Sequence, residues 1–281
     1  MPNTRLDEID TVGIFLGPYR NLTTLTASLL FLHPFCQVLN HAAGRILGDN
    51  RLDFFANYSD ETFQAFLRFA ISASEGGRNG DFGGSITHSH AFVSHDAMRE
   101  AHKKVGATLV KQEIHTLIWK DSLKVSQYLR QNQTDLDVLF LNNNKLRFIM
   151  PVRHPLDCAM SNLHTGRAQY FQNMGPEATL MPVVKAILDE HLWFEQCRTL
   201  HPDRFFNFFQ SEINKEETFI QLANFLGLKA TPEWLTHVKS AWSLKGRRYK
   251  FPPKIVEQYQ QMTAQIFGEQ PDFSKRLLAF I

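Results

Sequence analysis

Three short stretches of this chain place oxyanion-binding side chains where the backbone can also offer N–H donors. The first is Arg153-His154-Pro155-Leu156-Asp157-Cys158-Ala159-Met160-Ser161, in which an arginine ends an apolar run and a serine follows eight residues later. A strand over residues 146–152 would deliver Arg153 to the C-terminal edge of a sheet, and a helix opening near Pro155 would carry Ser161 on its second turn. Both can then hold one phosphate; the plain alternative is an ordinary strand-to-helix turn. The second is Gly17-Pro18-Tyr19-Arg20-Asn21-Leu22-Thr23-Thr24, between an apolar strand-like run at 11–16 and a helical run at 25–32. A strand, a tight turn and a helix start make an anion cradle, because the first-turn N–H groups point at whatever sits there. A simple N-cap by Asn21 or Thr23 would use the same residues. The third stretch, Lys245-Gly246-Arg247, can wrap a phosphate with charged and backbone donors together, or be a solvated basic turn. No Gly-x-x-x-x-Gly-Lys-[Ser/Thr] motif is present, which disfavours an ordinary nucleoside triphosphatase.

In this order and spacing the three stretches resemble the sulfotransferases that use 3′-phosphoadenosine 5′-phosphosulfate (PAPS). In that family a strand–loop–helix of the form Pro-Lys-Ser-Gly-Thr-Thr holds the 5′-phosphosulfate, and Arg20-Asn21-Leu22-Thr23-Thr24 stands in its place. Arg153 and Ser161 match the spacing of the 3′-phosphate motif, and Lys245-Gly246-Arg247 resembles a late loop of the glycan-modifying branch. The resemblance implies PAPS as donor and a hydroxyl or amine on a small-molecule, specialised-metabolite or glycan acceptor. Two departures stand out: Arg20 replaces the usual lysine and Leu22 the usual glycine. An arginine stays charged, so its part would be electrostatic; a leucine narrows the room for close backbone approach.

Sulfuryl transfer also needs a base for the acceptor's proton, and the charge on the leaving phosphate must be neutralised. Arg20 and the amides of Thr23 and Thr24 are candidates for the second task, with Lys111 assisting. Related enzymes carry Lys-Thr-His or a lysine with a glutamate near a strand end. Read as a strand, residues 110–115 bring Lys111, Glu113 and His115 to one face by their i, i+2 spacing. Glu113 is then the first candidate base and His115 the second, against a plain surface Glu–Lys pair. His88 and His90, with His95 nearby, follow a glycine-rich stretch at 75–85 and either offer imidazoles suited to substrate contact or proton abstraction near neutral pH or are plain loop histidines. No third ligand has a recognisable spacing, so no metal is expected.

The elements that must position these groups alternate between strand and helix. Strands are expected at 11–16, 36–40, 107–113, 146–152 and 204–209, and helices at 60–74, 121–131, 181–200 and 216–226. That pattern predicts an α/β fold: one three-layer αβα domain over residues 1–281, with a central parallel sheet of about five strands. The stretch 75–85 reads as an irregular loop over the substrate. A 281-residue chain with 43% hydrophobic content and 24 phenylalanines can fill such a core, and a net charge of +2 argues against an extended nucleic-acid surface. The four tryptophans are dispersed as packing residues. Cys36, Cys158 and Cys197 form no disulfide framework, no apolar run reaches the ~18 residues of a membrane span, and the start of the chain is no signal peptide, so a cytoplasmic protein is expected. Two other functions share these features: a nucleotide-dependent phosphotransferase, and a catalytically silent nucleotide-binding protein on the same fold.

Overall fold

The computed structural model describes residues 6–76, 82–106, 108–241 and 249–279. The chain runs β1 (Thr11–Phe15), α1 (Thr23–Phe31), β2 (Cys36–Asn40), α2 (Ala43–Ile46), α3 (Asp60–Ser74), β3 (Gly84–Ser85), α4 (His90–Val93), α5 (Asp96–Lys104), β4 (Thr116–Lys120) and α6 (Leu123–Gln131). It continues through α7 (Leu136–Asn142), β5 (Leu146–Val152), α8 (Pro155–His164), α9 (Leu180–Leu200), β6 (Phe205–Phe209), α10 (Glu216–Phe225), α11 (Pro232–Ala241), α12 (Pro253–Ile266) and α13 (Pro271–Leu278).

The strands form one six-stranded sheet in the order β3-β2-β4-β1-β5-β6. Every pairing is parallel except that of the short β3 against β2. The parallel strands are buried on both faces, which is why they read as continuous apolar runs instead of alternating ones. Along β1 and β5, Val12, Ile14, Phe148 and Met150 face one core, under α3, α6, α8, α9 and α12. Phe15 and Ile149 face the other, under α1, α5, α10 and α11. This is the expected three-layer α/β architecture, with six strands.

The expected strand at 107–113 is not there: residues 108–113 carry no strand, and the central strand is β4, Thr116–Lys120. The backbone of 109–111 is satisfied by a side chain instead of a ladder. Gln37 Nε2 donates to the Leu109 carbonyl at 3.1 Å, and the Lys111 N–H donates to Gln37 Oε1 at 3.0 Å. The stretch 75–85 is also not wholly irregular, since Gly84 and Ser85 pair with Asn40 and Leu39; residues 77–81 lie outside the described residues.

One helix carries a buried histidine. His191 of α9 is fully buried, and neither ring nitrogen has a hydrogen-bond partner among the described residues. Burial pushes it down from 6.5 to about 3. Its folded-state value lies below its unfolded one, so it costs nothing above pH 6.5 and destabilises increasingly as the pH falls below that. Replacing it with leucine is expected to reduce the loss of stability between pH 7 and pH 5 by about 2 kcal/mol, read by urea unfolding at the two values.

Candidate active site

The C-terminal edge of the parallel strands gathers the loops after β1, β2, β4 and β5. Chain order reverses about β1, which lies between β4 and β5, and open α/β sheets bind ligands in the crevice outside such a reversal. Backbone strain concentrates there. Arg20, Leu22, His41, Ala42 and Ser122 all have φ between 63° and 82°, the left-handed region that costs a non-glycine residue about 1–2 kcal/mol. Asn40 Oδ1, Ser89 Oγ, Ser122 Oγ and Asn162 Oδ1, on residues of the loops at this edge or packed beside them, are buried and find no partner among the described residues.

The loop after β1 is tied down by long-range bonds. Gly17 N–H donates to Ser126 Oγ on α6 at 2.7 Å. Asn162 Nδ2 on α8 donates to the Tyr19 carbonyl at 2.8 Å. Asn21, wholly buried, donates from Nδ2 to the Pro151 carbonyl and accepts the Arg153 N–H on Oδ1 at 2.8 Å. Its side chain is therefore spent on clasping the loop to β5, and only its backbone is available to a ligand. Neither Asn21 nor Thr23 caps α1, whose N-cap residue Leu22 makes no side-chain capping bond. The first-turn amides of α1 at Thr23 and Thr24 thus have no side-chain cap, as an anion cradle requires. Leu22 adopts the backbone a glycine would, and its side chain packs into the α1-side core.

The structure brings the first two predicted stretches together. Arg20 Nε donates to Ser161 Oγ at 3.0 Å across 141 residues of sequence, and Arg153 Nη1 donates to the Arg20 carbonyl at 3.3 Å. Arg20 therefore lies beside the Arg153–Ser161 pair instead of over the amides of its own loop. Desolvation first, then Arg153, lowers its basicity. Pro155 opens α8 as expected, with His154 Nδ1 accepting the Leu156 N–H at 3.1 Å. Lys245, Gly246 and Arg247 lie outside the described residues. The described chain resumes at Tyr249, whose N–H donates to Asp157 Oδ1 on α8 at 3.2 Å.

Lys111, Glu113 and His115 are not brought to this edge. The His115 carbonyl accepts from Asp10 and Thr11 where β1 begins, and its N–H donates to Phe35 just before β2, so the group sits at the opposite, N-terminal edge. Glu113 Oε1 there pairs with His115 Nε2 at 2.7 Å, and the Lys111 ammonium lies 4.6 Å from the ring centroid of Phe31 at the far end of α1. A five-residue strand, about 16 Å long, separates them from Arg20.

At the site end of β4 stands a different lysine. Lys120 is 4% exposed, and burial lowers it from 10.5 to about 8, opposed by Asp121 and reinforced by Arg167 and Arg20. Its carbonyl accepts the His41 N–H at 2.8 Å. Burial, with the charges of Lys120, Arg167 and Lys124, pushes His41 down to about 3. His90 is held down to about 4 by desolvation and then by Arg20 and Lys120. Both imidazoles are therefore neutral at pH 7 and feel the charge of the buried Lys120 ammonium. His88 ends the 3-10 turn (Ile86–His88) after β3, two residues before His90. Lys120 and His41 were missed by sequence reasoning, although the signal was the one that found Arg153: each closes or directly follows a buried apolar strand. No group of three or more metal-ligating side chains occurs among the described residues.

No protein-family model and no curated protein matches the chain. Solved structures similar to it include mouse sulfotransferase SULT7A1 complexed with PAP, at 13% identity and TM-score 0.47, covering 97% of this chain and 88% of that one. The sulfotransferase domain from the curacin biosynthetic pathway is similar at 16% identity and TM-score 0.46, covering 92% and 97%. Sulfotransferase STF9 from Mycobacterium avium is similar at 15% identity and TM-score 0.47, covering 94% and 76%.

Proposed function

We propose that this chain is a sulfotransferase that takes the sulfuryl group of PAPS and transfers it to a hydroxyl or amine of a small-molecule or glycan acceptor. The observation that carries this reading is the contact of Arg20 with Ser161, next to Arg153. It joins the loop after β1 to the helix after β5 and puts two guanidinium groups and a hydroxyl in one place, the donor set of a phosphate site. The first-turn amides of α1 supply a second anion site on the same loop, as a donor phosphorylated at both ends demands. Lys245, Gly246 and Arg247 are assigned to the ribose phosphate with Arg153 and Ser161. The lysine that related enzymes carry near a strand end is here Lys120.

In the transfer, the acceptor oxygen or nitrogen forms a bond to sulfur while the sulfur–oxygen bond to the 5′-phosphate breaks. The acceptor's proton passes to a neutral imidazole, His90 or His41. The charge that develops on the leaving phosphate is met by Lys120 and the α1 amides. Three buried free cysteines fit a reducing compartment, the cytoplasm, and no helix of the described residues is long and apolar enough to cross a membrane.

The test is binding of the reaction's nucleotide product. 3′-Phosphoadenosine 5′-phosphate (PAP) is expected to raise the melting temperature, and ATP at the same concentration is not. Arg153→Ala and Ser161→Ala should each weaken PAP by about 10–100-fold in calorimetry, the worth of one charge-assisted bond of ~1.5–3 kcal/mol. Equal stabilisation by ATP, or PAP affinity untouched by both substitutions, would refute the assignment.

A further inference from the structure

We propose that the acceptor carries its own negative charge, received at the mouth of the site by Arg167 lying over Tyr170. This rests on the sulfuryl-transfer reading above and specifies its acceptor. The cations of the site divide by burial. Lys120 is 4% exposed, whereas Arg167 is exposed and the Tyr170 ring beneath it is 45% exposed. Lys120 is placed to meet a donor held deep in the crevice, and Arg167 to meet whatever enters last.

The wall that holds Arg167 is built from the same parts as the phosphate loop. Its N–H donates to the Asn162 carbonyl at 2.8 Å, and the Asn162 side chain in turn holds the Tyr19 carbonyl. Its guanidinium carbon lies 5.5 Å from the Tyr170 ring centroid, and Tyr170 meets Tyr19 edge-on at 6.1 Å. Gln127 Nε2 on α6 donates to the Tyr170 carbonyl at 3.0 Å and closes the wall against the helix that follows β4. A guanidinium laid on an aromatic face has less rotational freedom to lose and presents a planar fork that fits a carboxylate, sulfate or phosphate with two parallel bonds.

The charge balance points the same way. Among the described residues, the charge of Arg167 acts on Arg20, His41 and Lys120 alike. Among the described residues no carboxylate pairs with it. Asp121, the acidic side chain beside Lys120, has Oδ2 engaged by the Ala43 N–H at 2.9 Å. The donor brings two negative charges to its phosphosulfate end, which Lys120 and the α1 amides already answer, and its ribose phosphate is answered by Arg20 and Arg153 beside Ser161. Arg167 is surplus to the donor, and a neutral acceptor would leave it without a partner.

The test uses two probes of the same size that differ in charge, 4-hydroxybenzoate and 4-hydroxybenzamide, titrated by calorimetry into protein saturated with PAP. The benzoate is expected to bind about tenfold more tightly, a preference that falls to within about threefold in Arg167→Gln and is largely kept in Arg167→Lys, while PAP affinity changes by less than about threefold. Equal binding of the two probes, or binding of neither, overturns the proposal. So does an Arg167→Gln protein that loses PAP affinity about tenfold and keeps the preference, because that assigns Arg167 to the donor. Failure of PAP to bind the native chain is a separate outcome and removes the sulfuryl-transfer reading itself.

Discussion

Lys120→Met is expected to yield a protein more stable than the native chain and nearly inert in sulfuryl transfer. The Lys120 ammonium is almost fully removed from water, and its folded-state value of about 8 lies below the ordinary 10.5. The folded state thus holds this proton less tightly than the unfolded one. The resulting cost is fully present below pH 8 and vanishes by pH 10.5. At neutral pH a methionine of similar length removes a penalty of order 1–3 kcal/mol, which urea unfolding would show as a raised midpoint. On the function proposed above, the same change deletes the cation that meets the leaving phosphate, a loss that typically lowers turnover by ~10²–10³-fold. The lysine's own titration supplies an independent check. The ammonium is needed, so kcat/KM of the native enzyme should fall as the pH rises through about 8. A Lys120→Met protein that is both destabilised and active would contradict each half of the argument.

The second large effect belongs to Asn21. Its side chain donates to the Pro151 carbonyl and accepts from the Arg153 N–H, so it crosses from the loop after β1 to the strand that delivers Arg153. Leucine at this position would fill the space but orphan both backbone groups, each worth about 1–3 kcal/mol when left without a partner away from water. A loss of about 2–4 kcal/mol in urea unfolding is expected, and with it at least a tenfold weakening of PAP, because the loop and Arg153 lose their common register. Asn21→Asp keeps the acceptor and loses the donor, so its stability should fall between the two. If Asn21→Leu weakens PAP without lowering stability, the side chain touches the nucleotide directly and is not a clasp.

How far the sequence could be read depended on the range of the interaction involved. Strands β2 and β5 stand at the residues expected of them, and β1, β6, α3, α9 and α10 within a residue or so, since each announces itself by local apolarity and caps. The central strand was lost to a neighbour: the short β-branched and apolar run Thr108-Leu109-Val110 looks strand-like, while the true strand, Thr116-Leu117-Ile118-Trp119-Lys120, is a two-sided apolar run. Placing that strand seven to nine residues too early assigned the expected chemistry to Lys111, Glu113 and His115, at the other edge of the sheet, and hid Lys120. The loop after β1 was legible because strand, turn and helix are contiguous. The use made of its side chains was not, since the turn of Arg20 toward Ser161 and the spending of Asn21 on Pro151 depend on β1 lying beside β5, with Val12 opposite Leu146.

The contacts at the start of α8 bear on how the crevice is assembled. His154 stacks with Phe251 and with Tyr259 of α12, and Asp157 holds the Tyr249 N–H, so helix α8 is braced by residues roughly a hundred positions further along the chain. A polypeptide emerging from the ribosome could therefore build the whole sheet and the layer of α1, α5, α10 and α11 and still lack a finished crevice until residues 249–259 had been synthesised. Such late, long-range closure slows folding. It also means that a partly made chain leaves the crevice at the C-terminal edge of the sheet open on the α8 side.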